Sequence, residues 1–432
     1  MNWRIAGVRF TLLLAVGMQV GCMGSSRRPP DTVPLHKLAS QLAAEACRCP
    51  LIIVGESSHG VDEFGRFRLE LIRELHRIGH ARLILLESPF AGSFGISPLD
   101  TTRTPTEYLN STTYSVWHTS AYRDLVQYVR EQAARGDTIH LLCIDPNLLS
   151  PAVRRPISHL LGSTFGVVSD SNQVLAKLLP ILDELHSLEV DGEHARGSTA
   201  RARMLIQAGR DHLTVPSRRE VSDSVRVGIA VARAILDGFE MWASAARDST
   251  PASAMLLRDR RMARLVELAR KDLYPNAAAV LLTHNWHARR NADRVTVENV
   301  PGVHGITDDL YVHGGTSEGE FVSLGGRLTQ IHPESTFVVG LYFGKGTVAL
   351  NDRSTAVIPA ARTGSLERRV LDRYPGGGIV NFNHSGIVLP KPWWRTEQSA
   401  RYWGLWEERF VPSEQYDCVV VVPQATLPSY TD

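Results

Sequence analysis

Leu51-Ile52-Ile53-Val54-Gly55-Glu56-Ser57-Ser58-His59-Gly60 is the stretch that decides the fold. Four aliphatic residues ended by a glycine read as a buried strand leaving a sheet. Open α/β sheets gather their chemistry outside the carboxyl ends of strands. A carboxylate and an imidazole on one such exit, Glu56 and His59, can hydrogen-bond and tune each other as an acid/base pair. Two further apolar runs end in the same kind of group. Arg82-Leu83-Ile84-Leu85-Leu86 runs into Glu87, and Ala277 to Thr283 runs into His284-Asn285-Trp286-His287. One ionisable residue at a strand end is commonly a helix cap or a loop residue. Three strand ends obeying one geometric rule make a site.

Outward from this centre, Phe64, Phe67, Leu71, Leu75 and Ile78 recur with a helical period over Val61 to Ile78. Leu35 to Ala46 is an amphipathic helix with Pro34 near its start, where the missing N–H is tolerated. After the strand Arg82–Leu86, Ser88 to Ser115 is rich in Thr, Ser, Gly and Pro and reads as a long loop. Ala121 to Arg135 is helical, and Ile139 to Ile144 is a third buried strand closed by Asp145. This order predicts a parallel sheet with right-handed crossovers. Residues from about 150 to 272 carry helical spacing in Val174–Leu188, Ala200–Gly209, Val221–Ala246 and Met255–Leu273. Strand patterns return at Ala277, at Thr336–Phe343 and at Cys418–Val422. The expected fold is α/β, a mainly parallel sheet flanked by helices with a large helical insertion, all within residues 34–432. Gly376-Gly377-Gly378 lacks the strand–helix frame of a phosphate loop.

A chain of 432 residues can bury one large core or two ordinary ones. With 47 Lys and Arg against 45 Asp and Glu, no bulk field attracts nucleic acid, which is excluded as a partner. Arg258, Arg260, Arg261 and Arg264 read as a solvated helix face. At the N-terminus, Arg4 and Arg9 precede the apolar segment Phe10–Val20, too short to span a bilayer, and Gly21-Cys22 follows. This resembles a bacterial lipoprotein signal, with Gln19 where Leu is usual. The expectation is a signal peptide over 1–22, lipidation at Cys22, a flexible tether over 23–33 and a lipid-anchored protein of the bacterial cell envelope. Cys47, Cys49, Cys143 and Cys418 remain. Cys47-Arg48-Cys49 is too tight for an ordinary disulfide, and no second cysteine pair exists for a zinc ribbon.

The order of these motifs resembles the erythromycin esterase family, whose signature Gly-Glu-x-x-His-Gly, Glu-Phe and Arg falls here on Gly55, Glu56, His59, Gly60, Glu63, Phe64 and Arg68. The second-strand carboxylate falls on Glu87, and a Trp and an Asp fall on Trp117 and Asp145. Arg258-Asp259-Arg260-Arg261-Met262-Ala263 is similar to the family's Arg-Asp-x-x-Met-Ala helix, His284-Asn285-Trp286-His287 to its His-Asn-x-His, and Tyr416-Asp417-Cys418-Val419 to its terminal strand. The resemblance spans roughly residues 35–425. It implies an esterase-type hydrolase that opens a small-molecule ester or lactone with water, without a cofactor. Macrolide-lactone hydrolases among its members bring antibiotic resistance into view, whereas a lipid anchor sits poorly with such enzymes.

The residues divide into roles. No Gly-x-Ser-x-Gly elbow is present, so water rather than serine is the expected nucleophile. His59 is the expected general base, since imidazole titrates near neutral pH. Glu56 or Glu87 orients it, as a carboxylate does in a triad. His284 or His287 donates to the developing oxyanion or the leaving alkoxide. Arg68 is the charge partner of a carboxylate, in the site or as a structural ion pair. Two rivals stand beside this reading. The same histidines and carboxylates have the ligand types of a metal-dependent hydrolase, although His-x-x-His is not the helical zinc-protease spacing. A haem- or ligand-binding bacterial lipoprotein of the same fold would use its histidines without hydrolysis.

Overall fold

The computed structural model describes residues 32–95, 97–146, 177, 180–185, 196–212, 223–245, 251–298, 322–382, 392–402 and 406–431. The expected signal peptide 1–22, Cys22 and nearly all of the expected tether lie outside the described residues. Where the tether region enters them, the Val33 N–H donates to the Gly376 carbonyl.

Helix α1 (Leu35–Ala46), strand β1 (Leu51–Val54), helix α2 (Asp62–Arg77) and strand β2 (Ala81–Pro89) open the chain. Helices α3 (Gly92–Gly95), α4 (Pro105–Thr112) and α5 (Ser120–Ala134) lead to β3 (His140–Asp145). The described residues before the next strand include α6 (Arg196–His212), α7 (Asp223–Ala245) and α8 (Pro251–Leu268). Then follow β4 (Ala278–Leu282), the single turn α9 (Asn285–Ala288), β5 (Thr296–Glu298), α10 (Leu324–Ile331) and β6 (Thr336–Phe343). The chain ends through β7 (Gly346–Ala349), β8 (Thr355–Ile358), α11 (Leu366–Arg373), β9 (Gly378–Asn381), β10 (Gln398–Tyr402), β11 (Trp406–Phe410) and β12 (Cys418–Val422).

The central sheet runs β3-β2-β4-β1-β6-β12-β9. All its pairings are parallel except that of β9 with β12. An all-aliphatic strand such as Leu51–Val54, fully buried along its length, is what a parallel sheet covered on both faces requires. Alternation along the strands sorts the side chains into two cores. Leu51, Ile53, Leu85 and Leu281 point to one face, against Ile235 and Phe239 of α7 and Met262 and Val266 of α8. Ile52, Val54, Leu86 and Leu282 point to the other, against Leu42 of α1, Phe64 and Leu71 of α2 and Val126 of α5.

One expectation needs correction. The segment Ser88–Ser115 is not one loop: β2 extends to Pro89, and α4 occupies Pro105–Thr112. The signal was a capping box, in which the Thr104 hydroxyl accepts from the Glu107 N–H and the Glu107 carboxylate accepts from the Thr104 N–H at 2.6 Å. The strands β10, β11 and β5 form a small antiparallel sheet that no aliphatic run marks in the sequence. Sequences such as Trp406-Glu407-Glu408-Arg409-Phe410 alternate weakly and carry charge, so they lack the aliphatic run that marks a buried strand.

Two glycines pin the exit of β1 by close approach. A Cβ on Gly60 would lie 1.9 Å from the Ala349 carbonyl oxygen of β7, and one on Gly55 would lie 2.3 Å from Oδ1 of Asn285 on α9.

Candidate active site

Strands β3, β2, β4 and β1 are consecutive neighbours, so their carboxyl ends stand in a row. That row brings Asp145, Glu87, Thr283 to His287, and Gly55 to His59 to one place, although the chain separates them widely.

At the end of β1, Nδ1 of His59 lies 2.7 Å from Oε1 of Glu56. The other carboxylate oxygen of Glu56 is 2.8 Å from Nη1 of Arg68 on α2. Arg68 is 1% exposed, and its guanidinium also donates to Tyr122 Oη at 3.0 Å, to the Val54 carbonyl at 2.7 Å and to the Thr283 carbonyl at 2.6 Å. One arginine thus ties the ends of β1 and β4 together and fixes the carboxylate. With the Glu56 carboxylate accepting, the Nδ1–H of His59 is the donor and Nε2 is left as the basic nitrogen. The His59 ring packs edge-on to Trp117 at 5.0 Å between centroids, and Trp117 donates its indole N–H to the Glu87 carbonyl at 2.9 Å.

His284 faces His59 across the site, with ring centroids 5.2 Å apart. Its Nδ1 accepts from the Trp286 N–H at 3.2 Å, capping α9. Burial and the neighbouring charge of His59 push its pKa well below the ordinary imidazole value. A neutral ring whose Nδ1 accepts carries its proton on Nε2, so His284 presents an N–H donor.

Glu87 organises the other half. Its Oε2 accepts from the Thr283 hydroxyl at 2.6 Å and the His284 backbone N–H at 2.9 Å, and its Oε1 lies 2.8 Å from Nη2 of Arg258. Burial alone would raise its pKa, but the charges of His287, Arg258 and His59 and the Thr283 hydrogen bond outweigh burial and hold it well below the usual range. Arg258 also binds Asp145, at 2.5 Å, and Asp145 accepts from Tyr114 Oη at 3.0 Å. His287 bonds Asp259 Oδ1 through Nδ1 at 2.5 Å. Its Nε2 stands 3.0 Å from Arg258 and 3.3 Å from Glu87. A neutral ring accepts from the guanidinium there, and a protonated ring donates to Glu87. Burial disfavours the protonated ring, yet Asp259 and Glu87 prevail and raise its pKa.

The structure therefore brings together Glu56, His59, Arg68, Glu87, His284 and His287. Of the two carboxylates named as orienters of His59, Glu56 hydrogen-bonds the ring at Nδ1, and Glu87 is close enough for the charge of His59 to act on it. His284 belongs with His59, and His287 with Glu87 and Asp259. Arg258 corrects an expectation: it is no solvated residue but the cation between Glu87, Asp145 and His287. Arg260 and Arg264 are exposed, whereas Asp259 is fully buried. An aspartate on a helix whose neighbours Met262 and Val266 face the core was the signal available. Glu63 turns away and accepts from Thr426. Ser57 and Ser58 are buried, and neither hydroxyl has a hydrogen-bond partner among the described residues, so neither is coupled to His59 as an activated nucleophile is. Among the described residues, no three His, Cys, Asp or Glu side chains converge in a way that would hold a metal ion.

A model of the erythromycin esterase family matches residues 96–425, a span that contains Asp145, Arg258, Asp259, His284 and His287. The Bacillus subtilis (strain 168) protein YbfO, named as a hydrolase, is 22% identical over 394 residues, covering 87% of this chain and 84% of that protein. Among solved structures, a mutant of the erythromycin esterase EreC in its open conformation superposes with a TM-score of 0.63 at 17% identity, over 91% of this chain and 95% of that one. A succinoglycan biosynthesis protein superposes with a TM-score of 0.65 at 12% identity, over 90% of this chain and 92% of that one. These structural likenesses carry the fold, and the sequence match over most of the chain carries the relationship: the chain belongs to the erythromycin esterase family.

Proposed function

We propose that the protein is a hydrolase that cleaves an ester or lactone of a small molecule by attack of water. The observation that carries this reading is the chain Arg68–Glu56–His59, with its 2.8 Å and 2.7 Å links. A fixed carboxylate holds the Nδ1 proton and leaves Nε2 to take a proton from water. His284, neutral and with its donor on Nε2, stabilises the charge that develops on the carbonyl oxygen. His287, poised between Arg258 and Glu87, returns a proton to the leaving alkoxide. Family membership and the likeness to a protein named as a hydrolase support the coarse activity, and the roles of the residues rest on the geometry.

The test is a panel of lactones, macrolides among them, and simple acyl esters, assayed with the parent and with His59→Ala. Turnover of at least one compound that is lost in His59→Ala supports the reading. Near-normal turnover in that variant overturns the mechanism. We further propose that Cys22 carries a lipid anchor, and Cys22→Ser is expected to move the protein from the membrane fraction to the soluble one.

A further inference from the structure

Apolar side chains among the described residues gather in three clusters: the two faces of the sheet and a small third one. The third consists of buried Trp286 and Ala292 with half-buried Met255, Leu256 and Tyr402 packed on them. It is too small to serve as a core, and it lies where none is needed. Its members touch the polar site on two sides. The Tyr402 ring stands edge-on to His284 at 5.4 Å between centroids, and Sδ of Met255 is 3.8 Å from Nη1 of Arg258. Trp406, half-buried on the neighbouring strand, extends the surface, its ring 5.9 Å from that of Tyr402. These two aromatics come from β10 and β11, the small antiparallel sheet, and so are placed over the carboxyl edge by an element separate from the sheet that supplies the charges.

Half-exposed apolar residues beside a dense set of buried charges are the usual composition of a small-molecule site, in which apolar walls bind and a few polar groups orient. We propose that Tyr402 and Trp406, with Met255 and Leu256, form the wall that grips an apolar portion of the substrate next to the scissile bond, and that this wall sets substrate preference. The inference rests on the hydrolase reading and deepens it. The substrate class is an ester or lactone with an extended aliphatic or aromatic face on the His284 side. Small acetyl esters fill the polar half of the site and leave the wall uncovered.

Direct binding separates this proposal from catalysis. Calorimetry is run with two trifluoromethyl ketones, one bearing a methyl group and one an octyl chain, since each offers a single substituent to the wall. A buried methylene strengthens binding by roughly fourfold, so covering only part of the chain should favour the octyl ketone by about thirtyfold in the parent. Tyr402→Ala and Trp406→Ala should each cut that preference, taken as the ratio of the two affinities within the variant, to about threefold or less, and Tyr402→Phe should keep it. An octyl preference unchanged in both alanine variants, absence of any preference in the parent, or failure of both ketones to bind overturns the proposal. Retention of the preference in a parent that hydrolyses no ester would instead count against the hydrolase reading alone.

Discussion

His59 and His284 face each other with ring centroids 5.2 Å apart, yet they are held in opposite hydrogen-bonding states. The Nδ1 of His59 donates to a carboxylate, and the Nδ1 of His284 accepts from a backbone N–H. The first arrangement makes Nε2 a base, and the second makes Nε2 a donor. In the proposed mechanism two chemically identical side chains thus serve as a proton acceptor and a hydrogen-bond donor, set apart by what each Nδ1 meets and by the deeper burial of His284. Such a divergence of environment is how acid and base roles are assigned within one site.

The first prediction concerns the base. His59→Ala should lower kcat/KM by about a hundred- to ten-thousandfold, the usual contribution of a general base. Glu56→Gln should lower it as well, because an amide no longer stabilises the imidazolium and can turn its NH₂ toward the ring. The fold of His59→Ala should persist, since its loss leaves Glu56 paired with Arg68. Activity and thermal melting measured on both variants check this. A Glu56→Gln enzyme as active as the parent would remove Glu56 from the mechanism.

The second prediction concerns metal and haem. Nδ1 of His59 is engaged by Glu56 and Nδ1 of His284 by the Trp286 N–H, and the proposed mechanism routes no step through a metal, so dialysis against a chelator should leave ester hydrolysis unchanged. Mixing the protein with hemin should give no Soret band of bound haem. Activity lost to the chelator and restored by zinc would replace the water-activation scheme with a metal-dependent one.

Legibility of this molecule in its sequence followed burial. The aliphatic runs Leu51–Val54 and Cys418–Val422 are buried on both faces, so composition alone declared them strands. Gly55 and Glu56 then marked where the first of these runs emerged. The half-site built by Arg258 was hidden because its helix carries four arginines that share one apparent stripe, and only depth of burial separates Arg258 and Arg261 from exposed Arg260 and Arg264. The wall residues Tyr402 and Trp406 were hidden for a different reason. They sit on two short, charged antiparallel strands, of which β11 pairs with β5, a partner more than a hundred residues away, and no local pattern announces that pairing.

The third prediction is a pH dependence with two opposing terms. The pKa of His284 is depressed in the fold, so below about pH 6.5, the ordinary imidazole value, the unfolded chain binds a proton the native state refuses. Its contribution to stability is present above that pH and falls away as pH drops. The pKa of His287 is raised, so the native state holds a proton the unfolded chain releases. That contribution is full below about pH 6.5 and is lost as pH rises through the raised value. Denaturant unfolding across pH should show His284→Gln with a shallower acid-side decline and His287→Gln with a shallower alkaline-side decline. Asp259→Asn should act like the second, because it removes the charge that holds the His287 proton. A parent profile unaltered by all three substitutions would contradict these assignments.

The fourth prediction separates Arg258 from the rest of its helix. Its guanidinium reaches Glu87, Asp145 and His287, and the two carboxylates are 5% and 0% exposed. Arg258→Met leaves both as buried charges without their cation, which costs on the order of 3–5 kcal/mol for a broken buried pair. Exposed Arg264→Met should change stability by no more than about 0.5 kcal/mol. Arg258→Lys keeps the charge but cannot fork between two carboxylates, so it should fall between the two. The distinguishing experiment is a second substitution. If the loss in Arg258→Met is electrostatic, adding Asp145→Asn relieves part of it, and unfolding free energies show the two changes to be non-additive in the stabilising direction. Additive losses would mean that Arg258 contributes packing alone, and the link between Glu87 and Asp145 would lose its meaning for the site.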